Sequence, residues 1–585
     1  MPFSTKTSMV FYLAALALTA GSRRRVLAAN DWLVPCTQGQ CSWDLPADSG
    51  SSGTLQVWGP STAISDITPA TGWRIITRCD PAATEQEVQL ECADGNPDCD
   101  HLFQGAGAVD TIVRLPDGCG PMPFARVTKH WTNQPNTPGS STVTPRASDA
   151  QVHSLALDTN FAAATPPLNG SVSFTLQGLN VKGSNGASTL TTPAPAHRRR
   201  WLSLRGPHGS PRHIHRRNFF GDMLRKLHDA TAFNKTIRHD LQPVDFNGAK
   251  NLFTTSVKCT ESTAIPVSST ASLSLDVDAA VHAAVSLGAV ATGTLVPPKI
   301  SEFGLTLGLD GNIDALFSIT ANLTGHVSSG AIPLFQIGIP GLSFPGILEV
   351  GPEFKVTGEI DVDLALTNID ADVRVTYNLS DVAAIFPPQH YETGGAFKQG
   401  TSEVTISAAP NITDVGASVS VTGHLTPQID IGLSALGGIA SATVFLNLDA
   451  STSLKVSAAA DGSRGDKTAA PAGGAQACVD ANADLAVNLG AQASFFDLFD
   501  ASTGTKLFDK SFPLLQQKCV AVSNSTSVFP KQPAARRGHA RRAPLDGDDT
   551  DKSNWSITSR DLDLGCPLTL ASQVSQLVKA IIPAT

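Results

Sequence analysis

The densest set of side chains able to do chemistry is acidic: Glu359, Asp361, Asp363, Asp370 and Asp372 fall within one short stretch. Hard carboxylate oxygens in such number can hold calcium. The other reading is an acidic, solvated strand face. Asp546 to Asp551 is also acid-rich, but it lacks the glycine and terminal glutamate of an EF-hand loop. His213-Ile214-His215 offers two imidazoles to a metal, yet no further ligands accompany it, so it reads as a solvated linker. His282 and His424 fall in strand-like runs and read as surface residues rather than bases. No G-x-S-x-G elbow, H-E-x-x-H, P-loop or G-x-G-x-x-G fingerprint occurs. A Ser-His-Asp triad drawn from distant positions stays open. So does a glycosidase carboxylate pair, which is defined by separation in space. No catalytic or cofactor-binding residue is assigned, and no cofactor is implied.

Ten cysteines can be oxidised: Cys36, Cys41, Cys79, Cys92, Cys99, Cys119, Cys259, Cys478, Cys519 and Cys566. Their even number, with no C-x-x-C pair, reads as disulfides rather than zinc. Their connectivity is open. Seven N-x-S/T sequons could carry glycans, at Asn169, Asn234, Asn322, Asn378, Asn411, Asn524 and Asn554. Basic clusters ending at Arg200, Arg217, Arg537 and Arg542 could be cut by secretory-pathway proteases. Cleavage after Arg542 would strand Cys566 on a separate piece. We expect a disulfide from Cys566 back to Cys259, Cys478 or Cys519.

These features need an exported chain, and the N-terminus supplies the address. Residues 1–29 read as a signal peptide: Lys6 is followed by an apolar run from Val10 to Ala20, too short to span a bilayer. No later run is apolar enough for a membrane span. The chain has 585 residues, and 42 Lys and Arg against 51 Asp and Glu give a net charge of −9, which argues against a nucleic-acid partner.

The elements that must position these groups are strands, so the fold class is mainly β. Residues 30–185 hold six cysteines and five tryptophans, Trp32, Trp43, Trp58, Trp73 and Trp131, and read as a disulfide-stapled β module. The tryptophans suit core packing or a sugar-stacking surface. Residues 186–217 are a basic Pro/Ser/His/Arg linker. In 218–249 an amphipathic helix carries Phe219, Phe220, Met223, Leu224 and Leu227, followed by a connector; the helix packs on a neighbour or lies on a membrane. Residues 250–520 show strict apolar alternation over seven to about seventeen residues, the mark of long antiparallel strands with one wet face, in a sandwich or barrel. The parity of 354–366 and 369–379 predicts a hairpin through Thr367-Asn368, with Gly358 facing Tyr377. The Pro- and Gly-punctuated segment from Ile332 to Ile347 either plugs an end of the sheets or lines an apolar cavity. Residues 521–585 form a polar tail with the dibasic sites. There Val574, Leu577, Val578 and Ile581 predict a short terminal helix.

Asn30-Asp31-Trp32 with Cys36 and Cys41, Cys99-Asp100-His101-Leu102 and Ile112-Val113-Arg114-Leu115-Pro116 resemble secreted proteins of filamentous fungi, especially basidiomycetes. Gly293-Thr294-Leu295-Val296-Pro297-Pro298-Lys299 and Phe335-Gln336-Ile337-Gly338-Ile339-Pro340-Gly341-Leu342 fit the same group. In that group the C-terminal β-rich part is a domain of unknown function, so the resemblance implies no activity. The expected role is a glycosylated extracellular or cell-wall-associated β protein acting by surface contacts. Two alternatives stand beside it: an apolar small molecule bound in a sheet-enclosed cavity, and a hydrolase with a dispersed site.

Overall fold

The structure is a computed structural model. It describes residues 34–133, 151–181, 221–225, 241–408, 418–460 and 475–522, with short interruptions at 47–48, 94–95, 165–166, 242, 260–268, 366–368 and 389–393. Residues 564, 566 and 575–584 are also described. The signal segment, Trp32, the basic linker, Arg200, Arg217, Arg537, Arg542, Asn234, Asn411, Asn524 and Asn554 lie outside the described residues.

The chain is built from strands in three sheets. Its N-terminal part supplies β1 (Gln40–Asp44), β2 (Ser52–Trp58), β3 (Ile64–Asp66), β4 (Trp73–Ile75), β5 (Glu85–Cys92), β6 (Ile112–Arg114), β7 (Phe124–Asn133), β8 (Val152–Asp158) and β9 (Val172–Leu179). Then come the long strands β10 (Val244–Cys259), β11 (Ser269–Val296) and β12 (Lys299–Ala321). Four shorter or paired elements follow: β13 (Gly325–Ser328), β14 (Ile332–Gly338), β15 (Leu342–Phe344) and β16 (Leu348–Leu364). The rest are β17 (Ile369–Phe386), β18 (Gly394–Gln399), β19 (Ser402–Ala408), β20 (Ser418–Ala435), β21 (Ala440–Ala460), β22 (Ala475–Ala491), β23 (Gly504–Val522) and β24 (Ser575–Ile582).

A ten-stranded sheet runs β1-β2-β9-β11-β12-β17-β19-β24, with β10 on β11 and β18 on β17. β11 is its spine. Its 28 residues reach about 90 Å at the usual rise per residue. β10 pairs with its first half and β9 with its second, along the same edge. Thus β1, β2 and β9, from the Cys- and Trp-rich stretch, continue the sheet of the long strands. An eight-stranded sheet runs β13-β16-β20-β21-β22-β23, with β14 and β15 also on β16. A six-stranded sheet, β3-β6-β7-β8-β5-β4, is made only of N-terminal strands and has its own core around Trp73, Val88, Val113 and Leu155.

The two large sheets face each other as a sandwich over one apolar core. The alternation read from the sequence is the alternation of burial: β16 and β20 bury every second residue along their whole length. Facing side chains interdigitate. Phe317 of β12 lies where a Cβ on Gly423 of β20 would come within 2.7 Å of its ring. The Tyr377 hydroxyl crosses from β17 and donates to the Asp484 carbonyl of β22 at 3.1 Å. Both long edges are bridged. On one, Phe246 stacks on Phe335 at 5.1 Å and Lys250 donates to the Pro333 carbonyl at 2.9 Å; on the other, Phe397 stacks on Phe508 at 4.6 Å. The 332–347 segment therefore closes a side of the sandwich, and Phe344 packs on the backbone at Gly53 and Gly178.

Two expectations are overturned. β16 and β17 do not form a hairpin: β16 pairs with β20 and β17 with β12, in opposite sheets, so Gly358 faces Leu425 rather than Tyr377. The chain crosses the sandwich between them, which puts both apolar sets inside as well as a hairpin would. The terminal segment is a strand rather than a helix. β24 pairs with β19, burying Val578 and leaving Ile581 66% exposed. The sheet edge offered unpaired backbone groups, and these outweighed a weak helical pattern.

All ten cysteines are paired: Cys36–Cys41, Cys79–Cys119, Cys92–Cys99, Cys259–Cys566 and Cys478–Cys519. Residues 221–225 are helical, and Met223 and Leu224 pack on Leu179, Val290 and Ile385 on the outer face of the ten-stranded sheet.

Candidate functional site

Inward positions of the eight-stranded sheet are large and apolar, so its outward positions decide what the face can hold. Near one end they become small. Gly351 of β16 lies beside Gly432 of β20, and Gly432 beside Thr443 of β21. The Gln492 N–H extends this row by donating to the Thr443 carbonyl at 2.9 Å. One step along, Ser343, Glu349, Ser434 and Ser441 form a second row. Two adjacent rows in which only Glu349 and Gln492 are long let the sheet surface dip. The result is an open trough of about 980 Å³, walled on one side by Ser49 and Ser51.

Ser49 and Ser343 also line a neighbouring cleft of about 310 Å³. Pro46, Pro116, Pro121 and Pro345 border it, with Trp43 and Met122. Trp43 is held edge-on to Phe344, ring centroids 6.5 Å apart. A hydroxyl-lined trough thus runs on into a proline-walled cleft.

The charges beside the trough are mutually paired. Lys355 reaches Asp430 at 2.9 Å and Glu353 at 3.0 Å. A hydrogen bond from Gln336, then that from Lys355, holds Glu353 below its ordinary value. Glu349 brings a carboxylate to the trough wall.

The acidic residues singled out in the sequence are not brought together. Glu359, Asp361 and Asp363 lie on the outer face of the eight-stranded sheet, and Asp370 and Asp372 on the outer face of the ten-stranded sheet, with the core between. The failed hairpin is the reason. Asp363 pairs with His326 at 2.7 Å, and Asp372 accepts from the Ser318 hydroxyl at 2.6 Å. Burial, then the neighbouring Asp372, pushes the Asp370 carboxyl up. Among the described residues no group of three or more His, Cys, Asp or Glu is placed to hold a metal ion.

The strand histidines have partners the sequence did not reveal. His282 pairs with Asp245, and His424 Nδ1 lies 2.9 Å from Asp449. Ser451 sits opposite His424 in register, so a serine, a histidine and an aspartate share one patch of sheet. That patch is a strand face rather than the trough. The six-stranded sheet holds a second set: His130 Nε2 lies 3.0 Å from His153 Nδ1, with Trp73 and Phe103 against the His153 ring. Of the tryptophans, Trp43 and Trp73 are core and Trp58 is 40% exposed.

Fold and site together define a mainly β, disulfide-bonded sandwich with an open outer trough. Residues 306–521, from within β12 to near the end of β23, match a family model described as a domain of unknown function, DUF7223. No curated protein and no solved structure gives a match. Among the described residues no helix is long and apolar enough to cross a membrane.

Proposed function

We propose that this is a secreted, glycosylated protein of a fungal cell surface or wall that binds an extended polysaccharide and does not cut it. The observation that carries this reading is the trough. It is open, and serine, threonine, glutamine and backbone groups line it together with Ala442 and Ala493. Such a floor offers many hydrogen bonds to a hydroxyl-rich chain. The adjoining cleft, bordered by Pro46, Pro116, Pro121 and Pro345, supplies apolar surface beside that floor. The His424–Asp449 pair stands outside this trough, which favours holding over hydrolysis. Five disulfides suit an oxidising compartment, and the likeness to secreted fungal proteins supports the setting.

The test is affinity electrophoresis and sedimentation of the purified protein with insoluble β-glucan and chitin. Gly351 has open space where a side chain would stand, so Gly351→Trp fills the trough without disturbing the core. We expect the wild type to be retarded by at least one wall polymer, and Gly351→Trp to lose retardation at an unchanged Tm. No retardation by any wall polymer, or equal retardation of the variant, defeats the reading. Release of soluble sugar would turn it towards hydrolysis.

A further inference from the structure

Three of the sequons lie in described residues, and the structure treats their amides differently. Asn169, in Asn169-Gly170-Ser171, is 7% exposed. Its Nδ2 faces the carbonyls of Gly107 and Val109 at 3.1 and 3.2 Å and the Thr111 hydroxyl at 3.0 Å. Its Oδ1 accepts from the Ala106 N–H at 2.8 Å. The surroundings are tight, since a Cβ on Gly105 would stand 2.7 Å from that same Oδ1.

Asn322, in Asn322-Leu323-Thr324, is half-buried and uses the other atom. Its side-chain contact is Oδ1 accepting from the Ser272 N–H. Asn378, in Asn378-Leu379-Ser380, is exposed on the outward face of β17, beside Asn312 of β12.

We propose that Asn378 and Asn322 carry N-linked glycans in the folded protein and that Asn169 does not, its sequon being used as a structural amide. The chemistry separates them. In glycan transfer an Nδ2–H bond is lost, and Nδ2 bonds to the anomeric carbon of a lipid-linked oligosaccharide diphosphate. The lipid diphosphate leaves with the bonding pair, and the proton goes to base. The product keeps one Nδ2 hydrogen and an intact Oδ1. Asn322 loses nothing, because its bond runs through Oδ1. Asn169 loses a hydrogen it needs to satisfy buried acceptors, and must house a sugar where there is no room. Transfer precedes folding, so a chain modified at Asn169 does not reach the folded form.

Both accepted positions lie on the outer face of the ten-stranded sheet. The strands that floor the trough, β16, β20 and β21, carry no sequon among the described residues. The glycans therefore leave the trough side bare, although the assignment does not depend on what the trough binds.

The experiment uses the full chain secreted from a eukaryotic host. Enzymatic removal of N-glycans in heavy-oxygen water converts each occupied asparagine to labelled aspartate, read by peptide mass spectrometry. We expect label at Asn378 and Asn322 and unlabelled asparagine at 169. Label at Asn169, or its absence at Asn378 or Asn322, overturns the assignment. Two variants separate sequon from amide. Ser171→Ala removes the sequon and keeps the amide, and should leave intact mass and Tm unchanged apart from the substitution. Asn169→Gln removes the sequon and carries the amide one methylene away from its buried partners, and should lower Tm or secretion yield. A Ser171→Ala protein lighter by one glycan, or an Asn169→Gln protein as stable as Ser171→Ala, would also overturn it.

Discussion

Cys259 and Cys566 stand 307 residues apart in the chain with their Cα atoms 5.8 Å apart. The first ends β10, on one edge of the ten-stranded sheet; shortly after the second, the chain enters β24 on the opposite edge. The tail is therefore fastened twice, by a covalent bond and by strand pairing with β19. Lys579 adds an ion pair with Glu403 at 3.5 Å.

A first prediction follows for maturation. A site for a specific protease placed at 536–542 should, once cut, give one species without reductant and two under denaturing, reducing conditions. Release of the C-terminal piece without reductant would contradict the pairing. Cys566→Ser in the uncut protein should cost about 2–5 kcal/mol, as expected for a native cross-link, read as a lowered denaturation midpoint.

His424 gives a pH prediction. Its hydrogen bond to Asp449 raises its pKa from the ordinary 6.5, with help from Asp449, Glu359 and Asp361 charges against an opposing burial cost. A pKa raised by folding means stability that is fully present below the unfolded value and lost as pH rises through the folded one. The pair is partly exposed, so its worth is at most about 1 kcal/mol. Asp449→Asn should remove this difference, so that urea midpoints of variant and wild type converge above neutral pH and separate below it.

The histidine pair of the six-stranded sheet has the opposite sign. Burial lowers the pKa of His130; burial and then the His130 charge lower that of His153, against a raising effect of Asp100. Their mutual hydrogen bond also needs one neutral ring as acceptor. Stability from this pair is present above the ordinary 6.5 and lost as pH falls through the folded values. Replacing His153 with Phe should flatten the acid limb of the unfolding curve below about pH 6.5. An unchanged acid limb would show that other groups govern it.

Arg114 is buried and donates to Asp66 at 2.5 Å and to the Val34 carbonyl at 2.7 Å. Asp66 also accepts from the N–H groups of Cys36 and Thr68. Arg114→Met leaves that carboxylate buried without its cation. Such a loss typically costs about 3–5 kcal/mol, and a chemical-denaturation midpoint would show it. A loss within error of zero would mean that the carboxylate and its three donors are not a unit.

The sequence by itself determined the local alternation. Ile360, Val362 and Leu364, and likewise Val373, Val375 and Tyr377, had to face a core, because period two is a property of one strand and its burial. It also pointed to the oxidised cysteines, since an even number of thiols with no C-x-x-C pair has few other uses. What it could not decide was pairing. An inward-facing parity is the same whether 366 and 369 belong to one hairpin or to facing sheets, and the choice rests on β12 and β20 competing for the backbone edges of β17 and β16. Tertiary structure therefore split the acidic residues, moved Val578 from a helix to a strand, and joined Cys259 to Cys566. It also made the trough, because Gly351, Gly432 and Thr443 are neighbours only after three strands are set side by side. It also buried the Asn169 amide and left Asn378 exposed, since a sequon is local but the partners of its amide are not.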